Sequence, residues 1–502
     1  MYFSGIWACF GVAGSVRLFN AGARWVLGCM AAVNWLRLYS EAVHNFQRRL
    51  PSSQGLAVAF NTNIDGIINL SDKRVGTLLG SHPGLSDEAF LRRDSPPGRI
   101  DSPADFLAGL MHFIERGSGG EYMIYDQATY QWIVCNLPID QYRMGGNAGI
   151  MANALSALGA RFVIPHAVQL PEKQARLFLD RENILLPVLK GGQVVFSRPG
   201  EASRDDRELV HLILEFKEGM GFEWRGQRIA SPRNNRFIAN ADDYNGRIAI
   251  DPAFAKAVDE KIGEMDKLVL TGLHMLKRSY PDGTTYLDRL REALGLVAGW
   301  KGKNPGLKVH FELADMQDEA IRRDVLRMAC RVSDSLGMNE DELQSVLATG
   351  QIRPNDPKSI AEGMFRFASS YGIGKLLVHS KDFIVSLVQD SYGVPPEVIR
   401  DSQMLGVLSA QNRAHSGEFG SSRDLKRLIS DGVLEASQIG LGMCERFGAL
   451  GKGADEGIWR VKLRGKEASA VVTPCLLSKV TLNTVGLGDC LTAGCVLGEI
   501  AQ

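Results

Sequence analysis

Toward the end of the chain, Asn483-Thr-Val-Gly-Leu-Gly-Asp489 runs into Cys-Leu-Thr-Ala-Gly. The segment joins a flexible Gly-x-Gly turn, a carboxylate and the start of a helix. Before it, Ala468-Ser-Ala-Val-Val-Thr473 reads as a strand; after it, Cys490 to Ile500 reads as a helix of small residues. Such a connection points free backbone N–H groups at an anion. An aspartate in the same place would repel that anion, so its chemistry is that of a base, taking the proton of a hydroxyl that attacks a phosphate. Taken alone, the segment is also an ordinary tight turn with a helix cap, because Asp caps well and Gly accepts positive φ. The rest of the chain decides between the two.

Other polar residues sit where ligands are usually held. Gly55-Leu-Ala-Val-Ala-Phe60 has the pattern of a buried strand and leads into Asn61-Thr-Asn-Ile-Asp65-Gly, and open α/β sheets bind ligands at the C-terminal ends of their strands. Met144-Gly-Gly-Asn147 opens a second small-residue helix, followed by a strand over 160–165, and a glycine pair there lets a ligand approach the backbone. Gly117-Ser-Gly-Gly-Glu121 reads as a turn ending in a carboxylate.

These residues need elements to hold them. Residues 80–102, rich in Gly, Pro and Asp, read as loop, and Phe106 to Glu115 as helix. Strands are predicted at 193–197, 209–216 and 236–240, antiparallel, with Gly219–Gly226 as turn. From about 245 onward helices alternate with strands at 268–271, 308–312, 334–339 and 375–379, the pattern of a parallel, doubly wound sheet. No internal repeat and no low-complexity tract is present.

The 502 residues suffice for two domains, and 45% apolar with 23% charged residues is ordinary for a soluble globular protein. Lys plus Arg equals Asp plus Glu at 57 each, so no global field favours nucleic acid or an anionic membrane as partner. Eight cysteines stand apart, with no Cys-x-x-Cys and no zinc spacing, as expected of reduced thiols in a cytoplasmic protein. Cys490 sits at a helix start that favours thiolate, beside Asp489, which disfavours it; a packing role is expected. Residues 1–29 differ from the rest: the uncharged run 1–16 is short for a membrane span and lacks the leading positive charge of a secretory signal. They are expected to be disordered or outside the true reading frame, with Met30 as an alternative start. Apolar residues at 35, 38, 39, 42, 43 and 46 then mark a helical stripe.

Taken together, six ordered blocks resemble the ADP-dependent glucokinase and phosphofructokinase family, a branch of the ribokinase-like sugar kinases. They are Phe60-Asn-Thr-Asn-Ile-Asp-Gly-Ile, Arg143-Met-Gly-Gly-Asn-Ala-Gly-Ile-Met-Ala-Asn, Leu270-Thr-Gly-Leu-His-Met-Leu, Val309-His-Phe-Glu-Leu-Ala, Ser335-Leu-Gly-Met-Asn-Glu-Asp-Glu-Leu and Thr484-Val-Gly-Leu-Gly-Asp. The resemblance covers about 33–502. It implies an α/β fold: a ribokinase-like, doubly wound large domain with a small β-sheet lid. The large domain is expected at 30–66, 142–180 and 245–502, and the lid at 67–141 and 181–244. It also implies a monomer acting on a sugar and ADP with Mg²⁺ or another divalent cation.

The family's roles carry over residue by residue. Asp489 resembles the catalytic base, and the amides around Gly486 to Asp489, Gly488 among them, resemble the anion hole. Glu312 resembles a glutamate holding magnesium through water; Asn339 and Glu342 match an Asn-x-x-Glu pattern in the same network, which also counts Asp489. Arg236 resembles an arginine on the nucleotide phosphates, and His379 is a candidate beside the adenine pocket. Asn63, Asp65, Gly145, Gly146, Asn147 and His211 resemble sugar contacts, although the family more usually has Gln at 147. Glu121 falls where the glucokinases carry glutamate and the phosphofructokinases a small residue. A carboxylate there would bond a neutral sugar's hydroxyls and repel a 6-phosphate. The lid positions where phosphofructokinases hold that phosphate with basic residues fall near Leu209 and Asp242. D-Glucose is therefore the expected acceptor. The alternatives are a phosphofructokinase or bifunctional enzyme, an ATP-using sugar kinase, and a non-catalytic sugar or nucleotide sensor. A Rossmann dehydrogenase is disfavoured, because no Gly-x-Gly-x-x-Gly follows the first strand.

Overall fold

Two sheets with separate hydrophobic clusters organise this computed structural model, which describes residues 33–316, 318–347, 356–449, 452–463 and 466–500. The expectation for residues 1–29 lies outside the described residues. Both sheets belong to one compact unit that begins at Trp35.

In chain order the first strands are β1 (Gly55–Ala59), β2 (Asn63–Asn69), β3 (Gly120–Met123), β4 (Gln141–Gly145) and β5 (Val163–Pro165). Then come β6 (Leu186–Lys190), β7 (Gln193–Ser197), β8 (Val210–Phe216), β9 (Gly221–Trp224), β10 (Gln227–Ala230) and β11 (Asn235–Asn240). The later strands are β12 (Met265–Leu270), β13 (Lys308–Glu312), β14 (Ser335–Asn339), β15 (Lys375–His379) and β16 (Phe383–Val388). The last are β17 (Leu434–Ala436), β18 (Lys452–Asp455), β19 (Ile458–Leu463), β20 (Lys466–Pro474) and β21 (Leu476–Ser478).

The large sheet has ten strands in the order β18-β19-β20-β16-β15-β14-β13-β12-β1-β5. From β5 to β15 every pairing is parallel, as the helix–strand alternation predicts. Beyond β15 the pairings turn antiparallel, because β16 follows β15 through a short turn rather than a crossover helix. The sheet is thus mixed. The striped N-terminal helix, Trp35–Arg49, buries Trp35, Leu38, Tyr39, Ala42, Val43 and Phe46, the residues its periodicity picks out. The helix Leu487–Gly498 packs so closely on the helix Pro396–Ser416 that a Cβ at Gly494 would stand 2.6 Å from the Cα of Gly406. Small residues are therefore what lets the two helices that frame the glycine turn and Asp489 approach so closely.

The smaller sheet runs β3-β11-β8-β2-β4. It is not purely antiparallel: β2 pairs parallel with β8, and β3 parallel with β11. Its strands alternate cleanly. Leu212, Leu214, Phe216, Phe237 and Ala239 face the second hydrophobic cluster, which leaves His211, Ile213, Arg236 and Ile238 on the opposite face.

Three sequence expectations change. The small sheet begins at Asn63 rather than 67 and includes Gln141–Gly145. The strands at 186–190 and 193–197 form their own hairpin, with Leu186 in the large hydrophobic cluster and Val194 and Phe196 packed against it, so they are not part of the small sheet. Finally, residues 83–92 are helical instead of loop. Pro83 occupies the first turn, where a missing N–H costs nothing, and the helix buries Ser86, Ala89 and Phe90. Among the described residues, no helix is long and apolar enough to cross a membrane.

Candidate active site

Two helix N-termini and one sheet face converge on a single cleft. Gly146 caps the helix Asn147–Leu158 with φ 73°, and Gly486 caps the helix Leu487–Gly498 with φ 72°, a left-handed backbone that glycine supplies without strain. Neither cap residue has a side chain, so the first N–H groups of each helix lack a side-chain capping partner. The cleft between them, about 150 Å³, is lined by Asn61, Asn63, Asp65, Glu121, Asn147, His211, Arg236, His274 and Asp489, among others.

Asp489 is held by its side chain: Asn147 Nδ2 donates to Oδ1 at 2.7 Å. Burial raises its pKa to about 6, against the hydrogen bond from Asn147. Asp65 is likewise raised to about 6 by burial, opposed first by His211, and takes a 2.8 Å bond from Asn63 Nδ2. The strand register makes this cluster: Asn63 lies opposite Gly145, and Asp65 opposite His211. His211 in turn meets Asp242 at 3.0 Å, and Asp242 also accepts from Asn245 Nδ2 at 2.6 Å. Burial works against charging this His–Asp pair, yet their mutual bond prevails, raising the histidine and lowering the aspartate. Glu121 accepts a hydrogen bond from Asn240, and its Oε1 lies 3.8 Å from His211 Nδ1.

Beside the cleft, Glu312 on β13 is buried between two histidines: His310 Nε2 at 3.0 Å and His379 Nε2 at 3.1 Å. Burial alone would raise this carboxyl; the two histidine bonds outweigh it and bring the pKa down to about 2. Glu342 is the opposite case. Burial raises it to about 8, and the neighbouring Glu312 adds to the rise. Glu342 and Asn339 form a reciprocal capping box, each side chain bonding the other's backbone N–H at 2.8 Å. The Asn-x-x-Glu pattern therefore has a structural role of its own.

Asn63, Asp65, Glu121, Gly146, Asn147, His211, Arg236, Gly486 and Asp489 meet at the cleft. Gly145 sits just behind it: a Cβ there would fall 2.0 Å from Asp65 Oδ1 and 2.4 Å from Asn63 Nδ2. Gly145→Ala is expected to displace these two buried side chains and to destabilise the fold by about 1–3 kcal/mol, the usual cost of overpacking; thermal denaturation checks it. His379 is placed on Glu312 and within 3.8 Å of a Cβ built at Gly488, which puts it at the glycine turn. Sequence reading missed His274, Asn61 and Asn240. His274 lies in the Leu270–Leu276 block, half-buried on the cleft wall, with no partner for its buried Nδ1. A cleft histidine with an unpaired nitrogen is visible only in three dimensions.

The comparisons with known proteins agree with this geometry. Residues 54–498 match the family model described as the ADP-specific phosphofructokinase/glucokinase conserved region. The chain belongs to that family. It is an ADP-dependent sugar kinase, a phosphotransferase with an alcohol acceptor. The chain is 30% identical over 466 residues to the ADP-specific phosphofructokinase of Thermococcus zilligii, covering 90% of this chain and 97% of that protein. It is 28% identical over 479 residues to the ADP-dependent glucose/glucosamine kinase of Pyrococcus furiosus, covering 93% and 99%. Among solved structures, an ADP-dependent kinase complexed with fructose-6-phosphate and ADPbetaS superposes with a TM-score of 0.78 at 26% identity, over 94% of this chain and 99% of that one.

Proposed function

We propose that this kinase transfers the β-phosphoryl group of ADP to the 6-hydroxyl of D-glucose, giving glucose 6-phosphate and AMP. One observation carries the choice of sugar: Glu121 reaches the cleft from β3, beside Asp65 and His211. Two carboxylates suit a ligand that donates several hydroxyl hydrogen bonds and oppose one that carries a phosphate. The small-sheet face binds the sugar through Asn63, Asp65, Glu121 and His211, with Gly146 and Asn147 approaching from the helix side. Asp489 then accepts the proton of the attacking hydroxyl. Its pKa of about 6 keeps it ionised near neutrality while leaving it basic enough to take a proton. The amides at Gly486–Asp489 and the guanidinium of Arg236 stabilise the charge on the moving phosphoryl group.

A divalent cation belongs to the same proposal. Among the described residues no group of three or more His, Cys, Asp or Glu forms a direct metal site. Two buried carboxylates, Glu312 and Glu342, nonetheless stand close enough to act on each other, with His379 favouring the charged form of both. This donor set fits Mg²⁺ held largely through water, with Glu312 and Glu342 as the outer carboxylates and Asn339 fixing Glu342. When bound, the ion neutralises charge on the nucleotide phosphates.

A second reading has its own observation. Arg236 lies in the same cleft as the sugar groups, and a guanidinium there could hold a sugar phosphate instead of the nucleotide. Several relatives are named ADP-specific phosphofructokinases. The test is a product assay with Mg²⁺, pairing glucose and fructose 6-phosphate each with ADP and with ATP. AMP formed with glucose and ADP alone supports the proposal. Preferred turnover of fructose 6-phosphate would replace it with the second reading, and nucleotide binding without turnover would favour a sensor.

A further inference from the structure

A second and larger cavity, about 380 Å³, lies away from the sugar cleft, between β4, the C-terminal end of the helix Pro396–Ser416 and the segment that leads to the glycine turn. That volume is in the range of small-molecule sites. Two guanidiniums, Arg143 and Arg413, face it, and among the described residues neither is ion-paired with a carboxylate. Arg143 donates to Gln141 Oε1 at 2.9 and 3.1 Å and to Asn483 Oδ1 at 3.2 Å. Arg413 is only 7% exposed. Its Cζ stacks 4.3 Å from the Phe419 ring centroid, its Nη1 donates to the Gly417 carbonyl, and its buried Nε has no partner. Burial weakens its charged form and Arg143 adds repulsion, while Glu418 attracts it. The one acid on the cavity wall, Glu418, is exposed.

A buried cation opposed only by one exposed acid, Glu418, is costly, and a second cation beside it makes it more so. Capping its own helix accounts for part of what Arg413 does. Capping does not account for Arg143 facing the same space, nor for the cavity, whose other walls include Leu177, Leu179 and Phe419.

We propose that this cavity is a second anion site, taking a small phosphate-bearing ligand between Arg143 and Arg413. The site adjoins the catalytic loop. Asn483 receives the Arg143 bond, donates to the Val485 carbonyl at 2.9 Å, and its N–H, like that of Leu482, bonds the carbonyl of Ala414. An occupant is therefore bonded to the segment that carries Gly486 and Asp489.

The test is calorimetric titration of the full chain with inorganic phosphate and with glycerol 3-phosphate, chloride holding ionic strength constant. The wild type is expected to bind saturably in the millimolar range or below. Arg413→Met and Arg143→Gln should each weaken binding roughly tenfold or more, the loss expected for charge-assisted hydrogen bonds, while Arg236→Met leaves it unchanged. Arg143 is half-buried, so Arg143→Gln reads the site even if Arg413→Met does not fold. Tighter binding of glycerol 3-phosphate would assign a phosphomonoester; equal binding would assign free phosphate. No saturable binding by the wild type would overturn the proposal. So would binding abolished by Arg236→Met and untouched by Arg143→Gln, which would locate the anion in the catalytic cleft.

Discussion

Asp489→Asn is expected to lower kcat by roughly 10²–10⁴-fold, the usual contribution of a positioned general base, while the dissociation constants for ADP and sugar change little. The substitution is nearly isosteric. Asn147 Nδ2, which now donates to Asp489 Oδ1, finds an amide oxygen in the same place. The helix N-terminus at Gly486 is untouched, so anion binding remains. Titration calorimetry with ADP and steady-state kinetics separate the two effects, and near-normal kcat in Asp489→Asn would remove the base assignment. The wild-type enzyme carries a second signature. With a pKa of about 6, raised by burial, Asp489 is protonated below that value and cannot accept the hydroxyl proton. Activity should fall tenfold per pH unit on the acid side of about 6. Asp65 is also raised to about 6, so the limb in kcat/KM carries both groups. At saturating sugar Asp65 is already bonded to hydroxyls, and kcat then reports Asp489.

Why the sequence exposed some of this and hid the rest has a physical basis. Local patterns were legible because they are written within a few residues. The Trp35–Arg49 stripe, the two glycine-capped helices and the alternation behind the parallel part of the large sheet all follow from periodicity and turn chemistry. The Pro83 helix was misread because proline and glycine break a helix interior but not its first turn. Strand partners were not legible. The parallel pairing of β2 with β8, some 145 residues apart, is decided by tertiary packing, and so is the attachment of the 186–197 hairpin to the large hydrophobic cluster. The face of the small sheet, once paired, explains why residues as distant as Asn63, Glu121, His211 and Arg236 meet. His274 needed that assembly to be noticed. Asn339 and Glu342 show the opposite limit: their pattern was readable from spacing, yet the structure gives it a capping role that spacing alone did not separate from metal binding.

Glu121→Ala is expected to reduce kcat/KM for glucose by roughly 10–100-fold, since a hydrogen bond to a charged group is worth about 1.5–3 kcal/mol. The same change should raise the relative rate with fructose 6-phosphate. The argument is electrostatic. A unit charge about 5 Å from another repels it by roughly 3 kcal/mol at an effective dielectric of about 20, and a phosphate dianion feels more. Removing Glu121 leaves Asn240, which now donates to it, and His211 facing the cleft without that charge. His211 remains paired with Asp242, so the cleft keeps its histidine in place. Arg236, in the same cleft, is then the natural partner for an incoming phosphate, with Asp65 the one carboxylate shown to act on it. Measuring kcat/KM for both sugars in wild type and Glu121→Ala gives one ratio. A shift of tenfold or more toward fructose 6-phosphate makes Glu121 the residue that sets the sugar. An unchanged ratio would mean that discrimination lies elsewhere on the small sheet, and the case for glucose that rests on Glu121 would fall with it.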